Sequence, residues 1–168
     1  MTVTIRDATG ADVDAICAIH NQGIADRSAT LDTAERTPAD TRAWLTGRGP
    51  RHPVIVAEHD GTVTGWASLN RFNPRPAYDL VADFSVYVER AARGRGVGRQ
   101  LLDRLIALAR THGYHKMVLA AMAFNDAGLA LYTAAGFSRV GVYREQGQLD
   151  GRWVDVVIME KLLEDGQA

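Results

Sequence analysis

The stretch "FSVYVERAARGRGVGRQLLDRLIALART" limits what this chain can fold into more than any other. The alternating, β-prone run Phe84–Val88 leads to glycines at every second position, Gly94, Gly96 and Gly98. An amphipathic run follows, with Val97, Leu101, Leu105, Leu108 and Ala109 along one side. The spacing predicts a strand, a glycine loop and a helix over 97–112. Glycine is required where φ must be positive or where a side chain would block a close approach. The start of a helix offers unpaired N–H donors and a partial positive charge, a natural seat for phosphate. Arg93, Arg95 and Arg99 add cations around it. Taken alone, the loop has two readings: a site for a phosphate-bearing ligand, or a turn that merely sharpens a strand-to-helix connection.

The rest of the chain supplies a frame for this unit. "TVTIRDA" alternates as a first strand, and "GADVDAICAIHNQGIADR" sets Val13, Ile16, Cys17, Ile19 and His20 at helical spacing. In "TPADTRAWL", Thr37 is the expected N-cap and Pro38 the first helical residue. "PVIVAEHDGTVTGWASLNRF" reads as a hairpin turned at Asp60-Gly61. "LVADFSVYV" is apolar on both faces, which predicts a central strand. "KMVLAAMA" is a further strand, Asn125 caps a short helix stopping at Gly136, and two last strands turn near Asp150-Gly151. The order β-α-α-β-β-β-α-β-α-β-β predicts an α/β (α+β) domain over residues 1–163, with a short tail at 164–168. Its mixed, twisted sheet should hold about six to seven strands between flanking helices. The strand-helix-strand unit at 84–121 predicts parallel pairing there, and the hairpins antiparallel pairing elsewhere.

Composition narrows the function. A formal net charge of -1 over 168 residues argues against a broad nucleic-acid surface. Cys17 is the single cysteine, so no internal disulfide forms, and its apolar setting fits packing better than nucleophilic work. "MTVTIRDATGADV" has no basic segment leading into an apolar one, and no run approaches the ~20 apolar residues of a membrane span. A cytoplasmic protein without membrane or nucleic-acid partners is expected. The five histidines show no metal-ligand spacing, so no metal is expected. There is no G-x-x-x-x-G-K-[ST] run, and Arg99 stands where a dinucleotide fingerprint starting at Gly94 needs its third glycine.

Arg93-x-x-Gly96-x-Gly98, set between "FSVYV" and a long helix, resembles the acetyl-CoA pyrophosphate loop of the GNAT acetyltransferases. The element order resembles that fold over essentially the whole chain. The resemblance implies that Arg93, Gly94, Arg95, Gly96, Val97, Gly98 and Arg99 bind the cofactor. It further implies a V-shaped opening between two central strands, with the pantetheine arm along Val86, Tyr87 and Val88 and with Asn125 and Tyr132 at cofactor-contacting positions. "IHNQGIADRSATLDT", "NPRPAYDL", "ADFSVYV" and "QLDGRWVDV" are similar, in order, to the subgroup that N-acetylates phosphinothricin, methionine sulfoximine and arsinothricin. That likeness implies resistance to a toxic glutamate analogue and a homodimer.

The same resemblance assigns roles residue by residue. Asp83 matches the acidic general base, one methylene shorter than the glutamate of many members; a bridging water would restore the reach. Its other reading is a carboxylate paired with an arginine or capping a turn. Tyr132 matches the tyrosine that protonates the departing thiolate, or else packs as an aromatic on a short helix. Arg75, with Tyr78 and Ser85, matches the substrate-facing set, and its fork suits a carboxylate or phosphinate; otherwise it is an exposed loop charge. Asn73 stands where some relatives carry a second arginine. Trp66 reads as core or interface; Trp153 and Asp155 lie in "GRWVDV", which resembles a segment that helps complete the subgroup's site across a dimer, and neither is assigned a role. Cys17 matches no family nucleophile, which favours direct attack by the amine. Two rivals share the loop: a protein N-terminal or lysine acetyltransferase, and a regulatory module that holds acetyl-CoA without catalysis.

Overall fold

The computed structural model describes residues 2–163; the tail expected at 164–168 lies outside them. Seven strands form one sheet: β1 (Thr4–Asp7), β2 (Val54–His59), β3 (Thr62–Arg71), β4 (Val81–Val88), β5 (Lys116–Met122), β6 (Ser138–Leu149) and β7 (Arg152–Leu162). Their order is β1-β2-β3-β4-β5-β7-β6, so β4 is the middle strand, as its two-sided apolar pattern predicts. Helices α1 (Val13–Ala25) and α2 (Pro38–Thr46) cover one face. Helices α3 (Val97–Thr111) and α4 (Asp126–Ala134) cover the other. No described helix is long and apolar enough to cross a membrane.

Local chemistry sets these boundaries. Thr37 closes a capping box with Asp40 at the start of α2, and Pro38 occupies the first turn. Asn125 accepts from the Gly128 N–H at the start of α4. Gly136 ends that region at φ +89, where an L side chain is strained. Alternation along the strands then sorts the core. Ile55, Ala57, Ala67 and Leu69 pack beneath Val97, Leu101 and Leu105 of α3, while Val54, Val56 and Trp66 meet Ile16 and Ile19 of α1. Trp66 and Cys17 are buried, so both serve as packing residues.

Gly65 permits the close approach of α3 to the sheet. A Cβ there would lie 3.0 Å from both the Tyr87 carbonyl oxygen and Leu101 Cδ1. Gly65→Ala is therefore expected to cost about 1–3 kcal/mol through overpacking, read as a lower urea midpoint at unchanged slope.

The pairing of β4 with β5 positions the site. All neighbouring strands are antiparallel except these two, which pair in parallel only over Val81–Asp83 with Lys116–Val118. From Phe84 onward β4 stays with β3 while β5 follows β7, and the sheet opens between them.

Candidate active site

The opening exposes backbone. Glu89 N–H donates to the Thr64 carbonyl on β3, so alternation turns the N–H and C=O of Val86 and Val88 toward the gap. Backbone groups freed from a ladder need partners, and here they line a cleft of about 430 Å³ between β4, α3 and α4. Val86, Tyr87 and Val88 form one wall. Arg93, Gly94, Gly96, Val97, Gly98 and Arg99 form the end, and Asn125 and Tyr132 the far side. Of the cofactor residues expected from the sequence, only Arg95 does not line this cleft.

The glycine loop has the geometry that close approach requires. Gly94 and Gly96 hold φ of +73 and +83, and Gly96 is the N-cap of α3 with no side-chain cap over the helix start. The α3 N–H groups therefore face the cleft without competition from a capping oxygen, a fit for phosphate. Gly98 brings α3 against Val88 and Leu131, where an added Cβ would already be in contact at 3.5 and 3.4 Å. The ring of arginines is partly committed. Arg93 pairs with Asp26 at 2.7 Å and donates through Nε to the Val88 carbonyl, and Arg99 pairs with Asp103 at 2.9 Å. Hydrogen bonds from Arg90 and Arg93 hold the Asp26 carboxyl below its ordinary range.

A second pocket of about 240 Å³ continues from the first, sharing Ala29, Val86, Tyr87 and Tyr132 with it. Its floor is the β4 face that carries Asp83 and Ser85, and the segment Ala29–Leu31 roofs it. Burial pushes Asp83 up to about 6, against the lowering effect of the Phe84 N–H that its Oδ1 accepts. Burial likewise pushes Tyr132 up to about 12, so its phenol keeps its proton at neutral pH. Tyr132 also makes edge contact with Phe84, ring centroids 5.8 Å apart, so it packs as well as facing both cavities. Asp83, Ser85 and Tyr132 are thus brought to one small pocket beside the cleft.

Arg75 and Tyr78 are not. Both sit on the exposed loop before β4 and line neither cavity. The Arg75 guanidinium makes no hydrogen bond or ion pair among the described residues, and Tyr78 packs edge-on to Phe72. Asp155, left without a role by its sequence, accepts the Glu145 N–H at 2.8 Å where β6 is irregular. Asn70 was missed by motif reading. It lies opposite Asp83 in register and donates to Ser85 Oγ at 3.0 Å, while accepting from Ser68 and Arg48. The alternation of β3, which turns Ser68 and Asn70 inward beside Trp66, was the signal for it. No cluster of three metal-ligating side chains occurs among the described residues.

The Acetyltransferase (GNAT) family profile matches residues 21–137. An L-methionine sulfoximine/L-methionine sulfone acetyltransferase of Pseudomonas aeruginosa is 36% identical over 95% of this chain and 94% of its own length. A phosphinothricin acetyltransferase structure from Sinorhizobium meliloti, in complex with AcCoA, is 31% identical with TM-score 0.91, covering 99% of this chain and 91% of that one. A ribosomal-protein-alanine N-acetyltransferase structure from Brucella melitensis is 37% identical with TM-score 0.92, covering 95% and 99%. Profile, full-length relatives and the opened sheet agree: this chain belongs to the GNAT acetyltransferase family.

Proposed function

We propose that this enzyme transfers the acetyl group of acetyl-CoA to the α-amine of a small, toxic glutamate analogue, such as phosphinothricin, methionine sulfoximine or arsinothricin. The observation that carries the reading is the small roofed pocket where a raised carboxylate and a protonated phenol meet at the end of a phosphate-binding cleft. At about 240 Å³ it falls below the roughly 300–1,000 Å³ of pockets for drug-sized ligands and suits an amino acid. A protein substrate, as the name of the Brucella relative indicates for that enzyme, calls for a groove open to a chain.

Acetyl-CoA supplies the activated acetyl group. The α3 N-terminus with Gly94, Gly96 and Gly98 would hold its pyrophosphate, Val86–Val88 its pantetheine arm, and Asn125 a further contact. Asp83, mostly ionised above about pH 6, accepts the proton of the substrate ammonium, directly or through water. The N–H groups turned into the gap lie where a developing oxyanion gains from fixed dipoles. Tyr132 Oη holds a proton for the leaving thiolate. Tyr132→Phe is expected to lower kcat about 10²-fold with an unchanged KM for the amino acid. Unchanged kcat would leave Tyr132 a packing residue.

Arg75 acts on the substrate carboxylate or head only if its loop closes over the pocket. Arg75→Ala should then raise the amino-acid KM and leave that for acetyl-CoA alone. A homodimer accounts for the apolar side chains exposed on the edge strand and its neighbour, Val140, Val142, Tyr143 and Trp153. The lone buried cysteine suits a reducing, cytoplasmic setting. Mass spectrometry tests the reaction: one acetyl group should appear on the amino-acid amine and none on the enzyme. A stable acetyl-enzyme would overturn direct attack.

A further inference from the structure

The α1-side face of the sheet is apolar along β2, but β3 and β4 set a polar row into it. Ser68 and Asn70 on β3 lie opposite Ser85 and Asp83 on β4. The buried Ser68 hydroxyl donates to Asn70 Oδ1 at 2.9 Å. Arg48, from the loop after α2, donates to the same oxygen through Nη2 at 2.9 Å. A carboxamide whose oxygen takes two donors presents its NH2 the other way. Asn70 Nδ2 accordingly donates to Ser85 Oγ at 3.0 Å. The Ser85 oxygen is thus an acceptor toward Asn70, and its single proton is left to donate. Ser85 lines the reaction pocket beside Asp83 and makes no other hydrogen bond among the described residues.

Arg48 anchors this row from outside, lining neither the cofactor cleft nor the reaction pocket. Its Nε donates to the His52 carbonyl at 2.8 Å, and its guanidinium lies 4.5 Å from the centroid of the Trp44 ring. No carboxylate pairs with it among the described residues, so its charge acts on the Asn70 dipole without a counter-ion. The donors run in one direction, Arg48 to Asn70 to Ser85, and hydrogen bonds aligned head to tail strengthen one another. Stability alone does not call for the row, since apolar groups of the same shape can be nearly neutral in place of a hydrogen-bonded pair.

The row ends where the proton has to go. Asp83 Oδ1 is taken by the Phe84 N–H, and Oδ2 makes no hydrogen bond among the described residues. Asp83 and Ser85 stand two residues apart on one face of β4, about 6.6 Å between Cα atoms, a gap that one water spans. We infer that Arg48 and Asn70 are positioning residues for acetyl transfer: they fix Ser85 as the donor that holds a single water against Asp83. The inference rests on the proposed role of Asp83 as base, not on which amine is bound. The water takes a proton from the substrate ammonium through its free lone pair and passes one of its own to Asp83 Oδ2. The amine is left neutral, the carboxyl holds the proton and the water is restored. Ser85 keeps its proton throughout.

A double-mutant cycle tests the relay, with kcat and KM measured in the wild type, Arg48→Gln, Ser85→Ala and the double variant. The amine is methionine sulfoximine, or a peptide with an N-terminal alanine if the wild type acetylates only that. Ser85→Ala should lower kcat about tenfold and Arg48→Gln about three- to tenfold, each with the amine KM within about twofold. In the Ser85→Ala background, Arg48→Gln should cost less than about twofold more, because its effect passes through the missing hydroxyl. Should Arg48→Gln fail to fold, Asn70→Ala takes its place in the cycle with the same expectation. Losses that multiply, or a Ser85→Ala that keeps its kcat, overturn the relay. A raised amine KM at unchanged kcat overturns it too, by making Ser85 a substrate contact. Turnover of the peptide alone removes the amino-acid reading while the cycle still decides the relay. A wild type that acetylates neither amine removes both.

Discussion

Asp83→Asn is expected to lower kcat by about two to four orders of magnitude while the affinity for acetyl-CoA stays within about twofold. The side chain keeps its shape and can still accept the Phe84 N–H, so backbone geometry is not the variable being changed. What is lost is the proton acceptor. The pH profile carries the sign. Burial raises the Asp83 pKa from 3.8 to about 6, so the carboxyl is protonated and idle below that value and ionised above it. Wild-type kcat/KM should rise with pH and level off above about 6, apart from any later limb belonging to the substrate ammonium. In the asparagine variant the limb near 6 should vanish. A variant that keeps the limb at reduced height would assign it to another group and make Asp83 a structural carboxylate.

Gly96→Trp should weaken acetyl-CoA by about 100-fold or more, close to 3 kcal/mol. Two causes add. The backbone sits at φ +83, where an L residue costs roughly 1–2 kcal/mol, and an indole would project into the cleft at the α3 N-terminus. Gly61→Trp separates them. That residue holds nearly the same φ, +76, in the exposed β2–β3 turn, with nothing within 4 Å of the position a Cβ would take. It should lose comparable stability and no cofactor affinity. Equal acetyl-CoA affinity in the wild type and Gly96→Trp would mean that the loop is a turn and nothing more.

The parts legible in the sequence are those whose chemistry is local. The Thr37-Pro38 and Asn125 caps, the Asp60-Gly61 and Asp150-Gly151 turns, and the strand-loop-helix unit each declare themselves within a few residues. The middle position of β4 follows from its two apolar faces. Ion pairing was not legible, because the partner of Arg93 is Asp26, far away in the chain at the end of α1. The reach of Arg75 was not legible either. A motif fixes its place in a loop, but the path of residues 72–80 decides what its side chain touches, and here they stand off from the pocket. His20 is a further case. Helical spacing counts His20 among the buried face of α1, which is correct, but its position beside Trp66 of β3, ring centroids 6.1 Å apart, follows only from the packing of α1 on the sheet.

Free coenzyme A released from acetyl-CoA, trapped by a thiol reagent, tests the central claim most directly. Phosphinothricin, methionine sulfoximine and arsinothricin are compared with glutamate and with a short peptide bearing an N-terminal alanine. Turnover of at least one of the three toxic analogues, with little on the peptide, is the expected result. Silence on all three with turnover of the peptide would keep the fold and the cofactor cleft, and would contradict the small-amino-acid assignment.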